Sequence, residues 1–151
     1  MLQKIAMTEA IIEAKTVKGV TWAEIAGAAG LSEVFVTSAC FGQNSLSGEE
    51  AGKLTDFLDL GERAKAVKAA LQSCPLKAQN LDSVSKNPLI YRFYEIAYVY
   101  GDTIKAIIHE KFGDGIMSAI DFDMYIDKVD DPKGDRVKVT MSGKFLAYKK
   151  W

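Results

Sequence analysis

Arg92 and Glu95 stand three positions apart, and Ser118 follows the run Gly113-Asp114-Gly115. On a helix, residues three apart are surface neighbours, so the guanidinium and the carboxylate can touch. A guanidinium offers a planar fork of N–H donors that matches carboxylate-like oxygens, and a nearby carboxylate can hold it in place. A glycine loop leaves backbone N–H groups uncovered by side chains, and a serine beside it adds a hydroxyl donor. These residue types describe a site for small anions. By spacing alone, the Arg92–Glu95 pair reads first as an ordinary exposed ion pair on a helix, worth about 0.3–0.5 kcal/mol.

These residues need elements to hold them. Asn87-Pro88 has the form of an N-cap followed by proline at the first helical position. Tyr91, Tyr94 and Tyr98 recur at spacings of three and four, which predicts one helical face. Gly101-Asp102 is expected to interrupt this helix, with a second helix from Thr103 to Phe112 that Gly113 ends. Beyond it, Ile120, Phe122, Met124 and Ile126 alternate with Asp121, Asp123, Tyr125 and Asp127, a period of two that predicts a strand. Residues 130–135 (DDPKGD) carry turn chemistry, and Val137, Val139 and Met141 alternate with Arg136, Lys138 and Thr140 in a second strand. Acids on one strand facing bases on the other predict cross-strand pairs. Ser142-Gly143 is read as a further turn before an edge segment, Phe145–Tyr148. A lone hairpin is marginal in water, so its apolar face requires a second copy of the chain.

The amino-terminal half has a different texture. Helices are predicted over 8–17 with Thr8 as cap and Ile11, Ile12 and 14–17 inward, over 21–29, over 32–42, from Ser47 to Phe57, and from Gly61 to Leu71. Thr21 with Glu24 has capping-box spacing. Arg63, Lys65 and Lys68 read as a solvated face, and 76–86 (LKAQNLDSVSK) as a linker. The helix, glycine turn, helix run through Gly30-Leu31-Ser32 resembles the helix-turn-helix of repressor-type DNA-binding domains. Charge argues against that role: between Gly19 and Gly52 there is no lysine or arginine, while Glu24, Glu33, Glu49 and Glu50 are acidic. A phosphate backbone would be repelled by such a lobe.

Across 151 residues the net charge is −1, with 48% hydrophobic and 26% charged residues, a balance that favours neither nucleic acid nor an anionic membrane surface. Cys40 and Cys74 are too few and too far apart for a zinc ligand set or a disulfide framework, and are expected as buried free thiols. His109-Glu110 begins like a zinc-binding HExxH helix, but position 113 is glycine, so no metal site is expected. The opening MLQKIAMTEAIIEAK is amphipathic without a signal-peptide pattern, and no stretch approaches ~20 apolar residues. A cytoplasmic location is expected.

The run YRFYE, then VYG, HEKFGDGI and SAI, together with AEIAGAAGLSEVFVTSACFGQ and the final GKFL, resembles the cyanases (cyanate hydratases, or cyanate lyases) over essentially the whole chain. What the resemblance implies is an α+β chain. It has an amino-terminal repressor-like five-helix bundle over 1–78. A helix-and-hairpin catalytic and dimerisation lobe follows over 79–151, with an antiparallel sheet between subunits. It implies decomposition of cyanate with bicarbonate to ammonia and carbon dioxide through carbamate. It also implies five dimers in a decamer, active sites between subunits, and no cofactor beyond bicarbonate as co-substrate. Arg92, Glu95 and Ser118 fall at the family's catalytic positions, and Ile116 and Leu146 at apolar substrate-binding ones. Met117 stands where some members have isoleucine. The rival class is a non-catalytic, repressor-like module whose carboxy-terminal lobe only dimerises. The missing cations between Gly19 and Gly52 and the intact Arg92, Glu95 and Ser118 favour the enzyme.

Overall fold

The computed structural model describes residues 2–75, 86–149 and 151; the expected linker lies almost wholly outside them. The described residues form α1 (Leu2–Lys18), α2 (Trp22–Ala29), α3 (Glu33–Cys40), α4 (Gly48–Phe57), a 3-10 turn (Gly61–Arg63), α5 (Ala64–Gln72), α6 (Pro88–Phe112), β1 (Gly115–Val129) and β2 (Arg136–Ala147). The chain is α+β, with five helices ahead of α6 and a two-stranded sheet among the described residues. It divides into two compact units, Met1–Lys77 with Met124–Thr140, and Ala78–Asp123 with Met141–Trp151.

The helical core closes around Met7, Ile11, Ile25, Val36, Leu54 and Leu71, each at most 2% exposed. Burying side chains of this size contributes about 1.5–3 kcal/mol apiece. Local chemistry sets the helix starts. The Thr21 hydroxyl accepts the Glu24 N–H at 3.2 Å, and the Glu24 carboxylate accepts the Thr21 N–H at 2.7 Å. Ser47 and Glu50 repeat this reciprocal box at α4, and Ser32 caps α3. Such caps satisfy N–H groups that have no partner within the helix.

Helix α1 departs from the sequence reading. It starts at Leu2, and Thr8 is not its cap. The Thr8 hydroxyl bonds the Lys4 carbonyl at 3.0 Å and the Cys40 carbonyl at 2.8 Å, tying α1 to the end of α3. The inward stripe runs through Met7, Ala10 and Ile11, so Ile12, one step around the helix, is 37% exposed and Val17 is 83% exposed. Lys4 sits on the inward side as well. Its ammonium donates to the carbonyls of Ala70 at 2.6 Å and Ser73 at 3.1 Å at the end of α5, where the Ala70 carbonyl also accepts the Ser73 N–H and hydroxyl. Burial pushes its pKa down. Of the two cysteines only Cys40 is buried, with its thiol pushed up to about 12 by desolvation; Cys74 is exposed, contrary to expectation. Cys74 follows the end of α5, where no apolar stripe draws it inward.

In the second unit, Asn87 caps α6 by accepting the N–H groups of Leu89 at 2.9 Å and Ile90 at 3.2 Å. The helix then runs unbroken through Gly101-Asp102, against the expected interruption. A single glycine costs a helix interior only about 1 kcal/mol, and no proline blocks the ladder. Gly113, at φ +89°, ends it. None of its 25 residues is buried within the chain. Ring stacking of Phe112 on Phe145, with centroids 5.3 Å apart, ties its end to β2.

The sheet is longer than its alternation indicated. β1 begins at Gly115 rather than near Ile120, and β2 continues straight through Ser142-Gly143, where a turn was expected. The connecting turn is built by Asp131, which accepts the Lys133 N–H at 2.9 Å and the Arg136 guanidinium at 2.9 Å. Those two contacts, in that order, hold its carboxyl below the usual range. Lys128 pairs with Asp135 at 2.8 Å and Asp130 at 3.1 Å. Ion pairs therefore gather at the turn. The pairing expected between Asp121, Asp123 or Asp127 and the bases of β2 is absent among the described residues.

Candidate active site

Arg92 lies in the second turn of α6, and its Nη1 meets Glu95 Oε2 at 2.5 Å. Both side chains remain open, at 62% and 46% exposure. The guanidinium also lies over the Tyr91 ring, 5.5 Å from its centroid. A guanidinium carries five N–H donors, and Glu95 engages one nitrogen. The rest of the fork faces outward, in the form that binds an oxyanion in two places.

Ser118 sits within β1, not on a loop, and is 6% exposed. Its Oγ accepts the N–H groups of Ile120 at 3.1 Å and Asp121 at 3.0 Å. Both hydroxyl lone pairs are thereby occupied, which leaves the O–H as the group it can offer. The glycine loop is also more closed than the sequence indicated. The Gly113 N–H is spent on the His109 carbonyl at 2.9 Å, the Asp114 carbonyl accepts the Tyr148 N–H at 3.1 Å, and Gly115 is already strand.

Ile116 and Leu146 are half-exposed, at 47% and 43%. Gly115, beside Ile116, faces the Leu146 carbonyl so closely that a Cβ there would fall inside 3.0 Å, so both apolar residues belong to the open end of the hairpin. The structure thus joins Arg92 to Glu95 and sets Ile116 near Leu146. Among the described residues no hydrogen bond links Ser118 to Arg92 or Glu95. Gly143, expected in a turn, instead lies in β2 against Ser118. A glycine inside a strand pattern is the signal of close backbone approach that could have found it. Among the described residues no group of three or more His, Cys, Asp or Glu side chains is placed to hold a metal ion. Among the described residues no helix is long and apolar enough to cross a membrane.

Five helices among the described residues, followed by a long helix and a hairpin with an exposed arginine–carboxylate pair, define an α+β class of protein in two units. Comparison with known proteins narrows the class. Residues 4–75 match the model of the amino-terminal part of cyanate hydratase, and residues 82–150 that of the cyanate lyase C-terminal domain. A cyanate hydratase of Marinomonas sp. is 53% identical over 150 residues, covering 99% of this chain and 100% of that one. One from Teredinibacter turnerae is 54% identical over the same shares. A crystal structure of cyanase from T. urticae superposes with a TM-score of 0.80 at 39% identity, covering 93% of this chain and 96% of that one. The chain belongs to the cyanate hydratase (cyanate lyase) family.

Proposed function

We propose that this protein decomposes cyanate, with bicarbonate as co-substrate, to ammonia and carbon dioxide through carbamate. The observation that carries the reading is the open fork of Arg92, held from one side by Glu95, in a chain of this family. Both substrates are monoanions and repel each other. A fixed guanidinium offsets the charge that accumulates as they meet. A bicarbonate oxygen attacks the cyanate carbon, forming a C–O bond, while the cyanate nitrogen takes up protons. The bond between the bicarbonate carbon and the bridging oxygen then breaks, releasing carbon dioxide and leaving carbamate. Carbamate takes up a proton and splits into ammonia and a second carbon dioxide.

In this reading Arg92 binds the anions, Glu95 orients Arg92, and Ser118 donates a hydrogen bond to the developing oxyanion. Ile116 and Leu146 form an apolar wall. Ser118 is not the nucleophile: its lone pairs hold two backbone N–H groups, and activating a serine calls for an adjacent base. The route asks for no metal or organic cofactor, because bicarbonate supplies the nucleophile and its decarboxylation drives the sequence forward.

Ser118 lies apart from Arg92 in hydrogen bonding, and α6 exposes Leu89 at 70% and Tyr98 at 88%. Both facts support sites completed between copies of the chain, in dimers sharing a sheet and in a decamer of five dimers. The partners are then cyanate, bicarbonate and the chain itself, in the cytoplasm, with no nucleic acid and no membrane.

The test is ammonia release from cyanate by purified protein in buffer stripped of carbon dioxide. The initial rate is expected to collapse and to return on adding bicarbonate. With carbon-labelled bicarbonate, label should appear first in free carbon dioxide. Undiminished release without bicarbonate, or early label in carbamate, leaves hydrolysis by water as the better account.

A further inference from the structure

We infer that Gly143 is a positioning residue for Ser118, and that room for the Ser118 carbonyl is the reason this strand position carries no side chain. The inference rests on the reading of Ser118 as the donor to the reacting anions. A Cβ built on Gly143 would fall well inside 3.0 Å of the Ser118 carbonyl oxygen and 2.7 Å from Met117 Cγ. Real Cβ atoms essentially never come that close. Met117 is a flexible side chain and can yield, whereas the carbonyl belongs to β1 itself.

The demand at Gly143 is spatial rather than conformational. Gly113 and Gly134 have left-handed backbones, at φ +89° and +120°, and Gly143 does not. β2 therefore crosses β1 closely at the residue whose hydroxyl matters. That same residue folds its Oγ back onto the N–H groups of Ile120 and Asp121. The local backbone of 118–121 is thus held from both sides, by its own side chain and by the bare Cα of Gly143. A methyl group at 143 must push the Ser118 backbone away by on the order of 1 Å, and a misplacement of that size can cost about 100-fold in rate.

The experiment uses the full-length chain in four forms: Gly143→Ala, Ser118→Ala, the double variant, and Gly134→Ala as a control that strains the same hairpin at its turn. Gly143→Ala is expected to lower kcat about 100-fold. In the Ser118→Ala background the same change is expected to cost less than about 3-fold, since the displaced hydroxyl is already gone. Amide exchange should quicken at Ile120 and Asp121 in Gly143→Ala and not in Gly134→Ala, which should keep its activity per folded chain. A near wild-type kcat for Gly143→Ala overturns the inference, as do effects that multiply in the double variant. Failure of Gly143→Ala to fold, seen as a lost far-ultraviolet signal, also overturns it, by making the glycine a folding requirement. A fully active Ser118→Ala instead overturns the role of Ser118 from which the inference starts.

Discussion

Glu95 holds Arg92 through a single guanidinium nitrogen, Nη1, and leaves the rest of the fork unengaged. An exposed pair of this kind contributes little to stability, typically below about 1 kcal/mol. In the proposed reading its value lies in orientation, with Glu95 fixing one side of the guanidinium and leaving the other for a ligand.

Arg92→Lys is therefore expected to fold normally and to lose most activity. Lysine keeps the charge but is a point donor, without the planar fork. Each charge-assisted hydrogen bond lost costs about 1.5–3 kcal/mol, on the order of 10- to 100-fold in rate. Steady-state ammonia release checks this, and near wild-type turnover would remove Arg92 from anion binding.

Lys4→Met tests a different clamp. Methionine fills similar space but leaves the Ala70 and Ser73 carbonyls without the ammonium that now bonds them. A loss of about 1–3 kcal/mol is expected in denaturant unfolding. No change in midpoint would show that water replaces the ammonium there without cost.

Acid should weaken the start of α2. The Glu24 carboxyl is held below its ordinary 4.5, first by the Thr21 backbone N–H, then by the Thr21 hydroxyl, with Lys15 adding a smaller pull. A depressed carboxyl stabilises the fold fully above its unfolded pKa, and that contribution is lost as pH falls through the lower, folded value. Comparing melting temperatures at pH 6 and pH 3, the wild type should lose more than Glu24→Gln, whose side chain does not titrate. Equal losses would show that the box carries no charge dependence.

The thiols should separate under a disulfide reagent. Cys74 is exposed and is expected to react in the native state, while Cys40, buried with its pKa raised to about 12, should react only on unfolding. Two fast native thiols would contradict the packing of α3 against α1.

Wherever one local rule acted alone, the sequence was a good guide. Asn87-Pro88, Thr21 with Glu24, and Ser47 with Glu50 each announce a helix start that the fold uses. The pair Arg92–Glu95 follows from helical spacing in the same way. Glycine was the harder signal. Gly101 is absorbed by a long helix, Gly113 does end one, and Gly143 sits in mid-strand, because the residue marks permission and the neighbours decide its use. Thr8 was misjudged for a related reason: its partner, the Cys40 carbonyl, is 32 positions away, and no local pattern reveals it. The setting of Ser118 was hidden too, since the strand register that buries it is fixed by β2, far along the chain.

Among the described residues the buried hydrophobic ones all fall between Met7 and Leu71, and this has a consequence for biosynthesis. Helical lobes with such local contacts fold in microseconds to milliseconds, whereas translation adds about 5–20 residues per second. Once the first half is clear of the ribosome, its core can close seconds before Arg92 and Ser118 are both available. Substitutions in that core should then act on how much protein accumulates in the cell, and those around β1 and β2 on how fast each finished molecule turns over.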